Sequence, residues 1–572
     1  MAVLDLYRKA LTMIAGLIPL LVIAGLVAGA VALARRANPA AGTSMLRLLI
    51  TAAFTLATAI IAAVGVAQLL QLAFEGGDVI AGRSATAVAR AVALTAVGLP
   101  AFVVLWRYLM KALDRSDRTS LAWNLYLATA TAVFGIGTMV GLGNGFAWIF
   151  GWTEVGAGPL GTGIAWGLML AWHEWHRVSV RPPARLGEIP LSVGSTIGLV
   201  AAGIGAGGVV SALLDAAYQA LTDTAVIGSG LWEQLGESAI FFVLGGALWW
   251  WQWLHDLRDR EPSMARSLYL LAPGSAGGAI VALTGTGGLL FTILQHFFGD
   301  GASTAARQFQ DLPGMLAAIG IGFLVWRYHR TVALADPAVA ETEVGYTYRY
   351  LLGGLALVAG ATGFGVVVNG LLAASTPAVA GEGGADLLLG GLSALAVGAP
   401  VWWITWRPRV APTETEVTSH ARRTYLTVLA GVGGVAALVS LILVIYRVLE
   451  SMLEGDDFGV LVDRTRAPFG VLMATGLVAA YHIVMWRRER HLLPEAEHVA
   501  VRRVTVLTTH PENGLHNLRK DLGVPVVTMH SGGTGRVVTE EELTAYLRSL
   551  EADEAVIIEE EGGYRVIRFT ED

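Results

Sequence analysis

Five histidines near the ends of apolar segments are the first candidates for chemistry, because imidazole binds metal ions and haem iron. His173 and His176 lie three residues apart, so they would share one face of a helix. Their segment lacks the His-Glu-x-x-His spacing of zinc proteases and has no evident third ligand. We therefore predict no metal and no cofactor, and we favour half-buried interfacial histidines over a haem or metal site. The haem or metal candidates are His173, His176, His255, His329 and His482.

A polar residue recurs near the opposite end of several apolar segments. Such residues mark the level at which helices meet headgroups and water, which is the interpretation we favour. The alternative is a polar ring that binds a ligand or lines a pathway. The candidates are Gln68, Asn144, Asp215, Gln295 and Asn369.

Ionisable residues are absent from the middle of the apolar segments. Proton-coupled pumps, voltage sensors and many ion carriers need such groups at membrane depth, which argues against these classes. The chain has no cysteine, which excludes disulfides, Fe–S clusters and thiol chemistry. Because no nucleophile–base pair and no paired carboxylates are evident, we predict no catalytic residue and no enzymatic activity.

Long apolar helices carry these residues. Hydrophobic residues make up 54% of the 572-residue chain and charged residues 15%, outside the range of soluble domains. Six apolar segments end on a tryptophan at spacings of 69 to 80 residues, which indicates a repeated unit. Each is preceded by another apolar segment of about 20 residues or more, long enough to cross a bilayer. The tryptophans are Trp106, Trp175, Trp253, Trp326, Trp406 and Trp486.

The predicted fold is an all-α polytopic membrane bundle of about 13 transmembrane helices with a small C-terminal soluble α/β domain. A lead helix and its cytoplasmic link occupy 1–45. Leu11–Ala34 is longer than the apolar region of about 7–15 residues in a secretory signal, so we expect a retained span; cleavage near Ala34 is the alternative. Six repeated hairpins occupy 46–115, 116–180, 181–260, 261–335, 336–410 and 411–494, and the soluble domain occupies 495–572.

Basic residues predict the orientation of the bundle. The links between hairpins, with the segments after the first and last spans, hold 23 Lys and Arg, whereas the N-terminal tail and the loops within hairpins hold 8. By the positive-inside rule the first set is cytoplasmic. We therefore expect a multi-pass plasma-membrane protein with its N-terminus outside, its C-terminal domain in the cytoplasm, and the tryptophans in an inner aromatic belt.

Three glycine patterns lie on the first helices of hairpins: Gly137-x3-Gly141-x3-Gly145, Gly203-x3-Gly207 and Gly274-x3-Gly278. Lipid provides no hydrophobic drive for helix association, so small residues that allow close backbone approach supply the packing. We predict tight helix contacts at these faces. Hinges or a pathway lining are the alternative.

The tail beyond residue 500 changes to short alternating strands and helices. Val501–Thr508 and Val524–Met529 are predicted strands, and Thr539 opens a helix to Leu550 with a capping box. Ala555–Glu560 and Tyr564–Thr570 are predicted to form a hairpin. This order indicates a compact α/β sandwich of ferredoxin-like type.

The tail is acidic, with 8 Lys and Arg against 15 Asp and Glu, which argues against nucleic acid as a partner. Its glycine-rich segment, His530–Arg536, runs into acidic residues and lacks the lysine of a phosphate loop. We predict a loop or turn there. The domain's expected role is contact with a cytoplasmic protein or ligand.

Tyr-Leu at the start of one span and Trp-Arg at the end of another form a recurring combination, at Tyr126, Tyr269, Tyr350 and Tyr425 and at Trp106, Trp326, Trp406 and Trp486. It resembles the repeats of a bacterial family of multi-span membrane proteins of unknown function, seen in Chloroflexota-like organisms. The resemblance covers about residues 45–490. The third hairpin departs from it, because it starts at Pro190-Leu191 and ends at Trp253-Leu254. The resemblance implies architecture and membrane location only.

These patterns favour a non-enzymatic scaffold, sensor or complex subunit that is embedded in the lipid bilayer and binds a cytoplasmic partner through residues 495–572. The alternative is a channel or carrier for a neutral or apolar solute that is not proton-coupled through an intramembrane carboxylate. A membrane enzyme ranks third. An oligomer is compatible with the sequence.

Overall fold

The computed structural model describes most of the chain from residue 39 onward. The described ranges are 39–74, 83–115, 121–180, 182–183, 186–222, 230–261, 263–299, 304–335, 343–375, 384–407, 412–490, 503–508, 526–530, 543, 546–547, 550, 554–560 and 563–569. The chain divides into two compact units, Met1–Val484 and Met485–Asp572.

Long helices follow one another in consecutive pairs that correspond to the predicted hairpins. π-Helical turns extend α4 over His176–Val180 and α6 over Trp250–Leu257, and another interrupts α7 over Leu270–Gly277. Short helices at Ala305–Gln308 and Glu414–Thr418 lie in the connections. The long helices are α1 Pro39–Phe74, α2 Arg83–Arg115, α3 Leu121–Ile149, α4 Gly158–Trp175, α5 Glu188–Thr222, α6 Leu231–Trp249, α7 Met264–Phe298, α8 Leu312–Ala333, α9 Glu343–Ala374, α10 Gly384–Trp406, α11 His420–Glu454 and α12 Phe458–Arg490.

Nine helices in the described part of the chain are long and apolar enough to cross a membrane. They are α1, α2, α3, α5, α7, α9, α10, α11 and α12; α4, α6 and α8 are not among them. The predicted lead span, Leu11–Ala34, lies outside the described residues. The helical membrane character of the fold is therefore confirmed, whereas the number of 13 spans stays a prediction.

Glycines set the distance between paired helices. A Cβ atom on Gly141 of α3 would lie 2.3 Å from the backbone nitrogen of Gly163 in α4, and one on Gly278 of α7 would lie 2.5 Å from that of Trp326 in α8. Only glycine permits so close an approach, as expected for packing without a hydrophobic drive. Cβ atoms on Gly203 and Gly207, in contrast, would meet no atom of the described residues within 4 Å. The prediction of tight packing is therefore wrong for that pattern.

Pairs of hairpins form groups of four helices. Helix α1 packs against α2, α3 and α4, and α5 packs against α6, α7 and α8. Helix α9 packs against α10 and α11. It also approaches α12, where a Cβ atom on Gly365 would lie 2.9 Å from the carbonyl oxygen of Gly470. We call these sets the first, second and third groups. The arrangement thus recurs every two hairpins rather than every one.

The C-terminal unit contains a four-stranded mixed sheet in the order β2-β1-β3-β4. Strand β1 is parallel to both β2 and β3, and β3 and β4 form an antiparallel hairpin in which Glu560 pairs with Gly563. The ferredoxin-like expectation is wrong, because that fold has its hairpin between the middle two strands and here it joins the last two. The strands are β1 Arg503–Thr508, β2 Val526–His530, β3 Glu554–Glu560 and β4 Gly563–Phe569.

One face of this sheet is covered by the predicted C-terminal helix. Val504, Val506 and Ile557 are buried against Leu543 and Leu547. Alternation along β1 and β3 places these side chains on a single face, as the period of a strand requires. The predicted turn and helix at 510–522 and the glycine-rich stretch at 531–536 lie outside the described residues.

Candidate functional site: three tryptophan–tyrosine–histidine clusters

Each group of four helices holds one tryptophan, one tyrosine and one histidine in a buried cluster. The tryptophan comes from the end of the second helix, the tyrosine from the start of the third and the histidine from the end of the fourth. Most of the nine side chains are nearly inaccessible, with exposures from 0% to 7%. Cluster 1 is Trp106, Tyr126 and His173; cluster 2 is Trp253, Tyr269 and His329; cluster 3 is Trp406, Tyr425 and His482.

Cluster 1 closes the first group around a tyrosine–histidine hydrogen bond. His173 Nδ1 lies 2.6 Å from the carbonyl oxygen of Met169, and its Nε2 lies 2.8 Å from the hydroxyl of Tyr126. Since a carbonyl can only accept, Nδ1 carries the proton and Nε2 accepts from the tyrosine. The ring of Trp106 meets His173 edge to face at 5.6 Å. Both imidazole nitrogens are therefore engaged.

Cluster 2 repeats this bonding and adds a donor. His329 Nδ1 lies 2.8 Å from the carbonyl oxygen of Val325, and Nε2 lies 2.9 Å from the hydroxyl of Tyr269. That hydroxyl also accepts a 2.7 Å hydrogen bond from Nε1 of Trp249. The phenol thus accepts from one ring and donates to another, a chain in which each bond polarises the next.

Cluster 3 keeps the rings and loses one of the bonds. His482 Nδ1 donates to the carbonyl oxygen of Val478 over 2.7 Å, as in the other clusters. Tyr425 accepts a 3.3 Å hydrogen bond from Nε1 of Trp402, and its ring lies 5.5 Å from that of His482. Among the described residues, however, Nε2 of His482 has no hydrogen-bond partner. Cluster 3 therefore holds a buried imidazole nitrogen that can still accept a proton donor.

The sequence around each cluster shows which helix faces meet. An aromatic residue lies one turn before the tryptophan, on the same helix face, and another lies immediately before the histidine. Two of these neighbours receive indole hydrogen bonds, because Trp253 donates to Tyr328 over 3.0 Å and Trp406 donates to Tyr481 over 2.6 Å. The pairs are Phe102 and Trp106, Trp249 and Trp253, Trp402 and Trp406, then Trp172-His173, Tyr328-His329 and Tyr481-His482.

Charge beside the tryptophan distinguishes the clusters. Arg422, fully buried, lies over the ring of Trp406 at 5.2 Å and 3.4 Å from buried Glu416. Its guanidinium donates to the hydroxyl of Tyr350, which in turn donates to Glu416. In cluster 2 the equivalent residue is Arg266, three residues before Tyr269; in cluster 1 it is the uncharged Trp123.

A salt bridge joins the first and second groups beside these clusters. Arg177, 5% exposed, donates to Glu174 over 2.8 Å and to Asp256 over 2.7 Å. Burial alone would raise the pKa of Asp256, but hydrogen bonds from Arg177 and His255 outweigh it and hold that pKa below its ordinary value. The pair is thus ionised and fixes the end of α4 against the end of α6.

The histidine candidates do not converge on one site. His173, His329 and His482 occupy three separate clusters, and His176 bonds its own helix at the carbonyl oxygen of Trp172. His255 is 54% exposed beside Asp256. In the described ranges, no three His, Asp or Glu side chains are placed to hold a metal ion. The expectation of half-buried interfacial histidines is wrong for the three cluster members, which are each 1% exposed.

The outer polar candidates also occupy separate positions. Asn144 bonds its own helix at the carbonyl oxygen of Val140, and Asp215 accepts from Gln219. Gln295 donates to Asp386 over 3.1 Å, linking α7 to α10, and Asn369 accepts from Arg466 over 3.0 Å, linking α9 to α12. Gln68 has a buried side-chain oxygen without a hydrogen-bond partner in the described part of the chain. The five residues are not brought together in one vestibule.

Apolar grooves separate helices within the groups. In the third group a groove of about 440 Å³ lies between α9, α11 and α12. In the second group three adjoining cavities, of about 530, 430 and 800 Å³, follow the length of α5. They join at Pro273 and at Ser211, and their ends hold Glu188 on one side and Asp215 on the other. The corresponding space between α1 and α3 is about 150 Å³.

These features define a polytopic helical membrane protein with an aromatic cluster in each group of four helices. Residues 62–172 and 346–477 match a domain of unknown function, DUF5671. The first match runs from α1 to α4 and the second from α9 to α12, so they cover equivalent parts of the first and third groups. They end just before His173 and His482. No curated protein and no solved structure matches the chain.

The burial of alternate tryptophans was missed by the sequence reasoning. Trp106, Trp253 and Trp406 lie inside the groups rather than in an aromatic belt, whereas Trp175 and Trp486 are exposed. The signal was available: only the buried tryptophans have another aromatic residue one turn earlier together with a Tyr and a His in the next hairpin. That pattern has a period of two hairpins.

Proposed function

We propose that the protein is a non-enzymatic membrane scaffold or sensor that binds a cytoplasmic partner through its C-terminal domain. The proposal includes 13 spans, an outer N-terminus and a cytoplasmic tail in the plasma membrane, supported by the distribution of bases. The observation that carries it is the internal bonding of clusters 1 and 2. Both nitrogens of each imidazole are bonded to the same protein, so these rings join helices rather than serve an external reactant.

The C-terminal sheet offers a surface for a partner. On the face opposite its helix, Val527, Met529, Ile567 and Phe569 are exposed by 38% to 52%. These side chains come from the two edge strands, β2 and β4. Exposed apolar groups within an acidic domain fit a protein partner with an apolar contact area and a basic rim.

Site-specific cross-linking in intact cells tests this proposal. A photoreactive residue at Val527 in the full-length protein should yield one defined adduct with a cytoplasmic protein. Phe569→Asp should abolish the adduct because it places a charge in the apolar contact, while Arg565→Gln on the same strand should preserve it. Absence of an adduct, or equal loss in both variants, would contradict the proposed partner surface.

A channel or carrier for a neutral or apolar solute is the second candidate, favoured by the adjoining cavities along α5. Liposomes containing the protein should then release an uncharged tracer such as glycerol faster than empty liposomes. Ile204→Trp, at a position 61% exposed that lines the middle cavity, should slow this release. Equal release from protein-containing and empty liposomes would exclude this function for the tracer.

A further inference from the structure

The groove of the third group ends at cluster 3. Its lining includes Val428 and Leu429 on α11, three and four residues after Tyr425, and Val478 on α12, four residues before His482. Residues at these spacings share a helix face. The groove therefore reaches within one helical turn of the tyrosine and the histidine on two different helices.

His482 is oriented towards this groove. Side chains on a helix lean towards its N-terminus, and on α12 that direction leads from His482 to Val478. The bond from Nδ1 to the carbonyl oxygen of Val478 shows that the ring lies over that turn. The side chain is 1% exposed, and its Nε2 has no hydrogen-bond partner among the described residues.

The hydrogen-bonding state of the ring selects the chemistry of a ligand. Because Nδ1 donates its proton to a carbonyl, Nε2 is an acceptor and requires a donor. In clusters 1 and 2 the same nitrogen takes the hydroxyl of a tyrosine. A carboxylate or a phosphate diester has no proton to give, and Arg422, the buried cation nearby, is already paired with Glu416.

The shape and exposure of the groove select the rest of the ligand. Its volume of about 440 Å³ is within the range of small-molecule sites, and its walls are almost entirely apolar. Val358, Val428 and Val432 on its rim are 50% to 65% exposed, so it opens to the outside of the bundle. A molecule already dissolved in the bilayer can enter sideways.

We propose that this groove binds a single-chain lipid alcohol from the surrounding membrane, with its chain between α9, α11 and α12 and its hydroxyl donating to Nε2 of His482. The proposal goes beyond the scaffold function and does not depend on the C-terminal domain. The ligand completes in cluster 3 the bond that tyrosine makes in clusters 1 and 2. Burying an apolar chain of this size and satisfying a buried acceptor both favour binding.

Binding of tritiated hexadecan-1-ol to the full-length protein in detergent tests the site. We expect one saturable site per chain, and weaker binding of hexadecane and palmitate by about tenfold, the effect of one hydrogen bond of about 1.4 kcal/mol. Equal binding of hexadecane, or stronger binding of palmitate, would overturn the proposed role of the histidine.

Two tryptophan variants locate the site. Val432 lines the groove and Val435 does not, although they lie on the same helix and are 65% and 64% exposed. Val432→Trp should fill the groove and abolish saturable binding, whereas Val435→Trp should leave it unchanged. Loss in both variants, or in neither, would place the alcohol elsewhere and refute the proposal.

The histidine itself is tested by a further pair of variants. His482→Phe should remove the preference for the alcohol over hexadecane, while His329→Phe in cluster 2 should retain it. If His482→Phe does not fold, the comparison of hexadecanol with hexadecane on the unmodified protein decides. A retained preference in folded His482→Phe would contradict the assigned hydrogen bond.

Discussion

Helices α3 and α11 hold the same position in the first and third groups but have very different surroundings. In α3, 67% of the apolar window is buried, whereas in α11 the share is 11%. The close approach of Gly141 to Gly163 joins α3 to α4 along their length. In α11, Cβ atoms on Gly431 and Gly434 would meet no described atom within 4 Å.

The two hairpins consequently depend on different interactions. The hairpin of α3 and α4 is closed by backbone contact and by a neutral tyrosine–histidine bond. The third group is held at cluster 3 by Arg422, Glu416 and Tyr350, and its α11 remains open to the groove. Small residues thus build a closed hairpin, and a buried ion pair anchors an open one.

The largest expected effect comes from breaking the ion pair of the third group. Arg422→Met leaves Glu416, 2% exposed, without its charge partner, and should cost about 3–5 kcal/mol of stability. Unfolding in detergent, followed by tryptophan fluorescence, measures the loss. Arg423→Met at the exposed neighbouring position is the control, and the double variant Arg422→Met/Glu416→Leu should recover much of the stability. Equal stability of the two single variants would remove the ion pair from the comparison.

Glycine contacts are expected to matter next. Gly141→Ala forces a Cβ atom against the backbone of Gly163 and should destabilise the protein by about 1–3 kcal/mol. Gly431→Ala has open space and should be neutral or stabilising by up to about 1 kcal/mol. The same unfolding measurement distinguishes them. Similar losses at both positions would show that hairpin closure is not the difference between the groups.

The tyrosine hydroxyls provide a finer test. Tyr126→Phe leaves His173 Nε2 buried without its donor and should cost about 1–3 kcal/mol. Tyr425→Phe removes only a long bond from Trp402 and should cost about 1 kcal/mol less than Tyr126→Phe. Thermal unfolding of both variants measures the difference. A larger loss for Tyr425→Phe would mean that its hydroxyl does reach His482.

The smallest effect concerns the charge at the end of the closed hairpin. The pKa of Asp256 is lowered in the folded protein, so its contribution is present above the ordinary carboxyl pKa of about 3.9 and is lost as the pH falls through the folded value. The melting temperature of the unmodified protein should fall below about pH 4 relative to its neutral value. Asp256→Asn should show a smaller fall, and parallel profiles would exclude this bridge as the cause.

The sequence predicted the helices more successfully than their partners. Apolar length and tryptophan spacing identified the segments that became α1 to α12, because crossing a bilayer imposes a minimum length. Which face of a helix is buried depends on residues in other helices, so Trp106 and Trp175 looked alike although one is buried and the other exposed. Gly203 and Gly141 have the same local pattern, and only the helix opposite separates their roles.

The site was predicted in part. His173, His329 and His482 were named, and Tyr126, Tyr269 and Tyr425 were noted as helix starts, but their pairing was not foreseen. Tyrosine and histidine are 47 to 60 residues apart within a cluster, which exceeds the reach of periodicity along one helix. Arg422 and Glu416 were missed because they lie at the start of a span, where charges are ordinarily solvated.

The order of residues in each cluster has a consequence for biosynthesis. Tryptophan is made first, tyrosine second and histidine last, so no cluster can close before the fourth helix of its group leaves the ribosome. Because chains assemble from the N-terminus during translation, the bundle should acquire its three groups in succession, each completed by an imidazole. A ribosome halted before residue 173, 329 or 482 would hold a chain whose newest indole and phenol still lack their last partner.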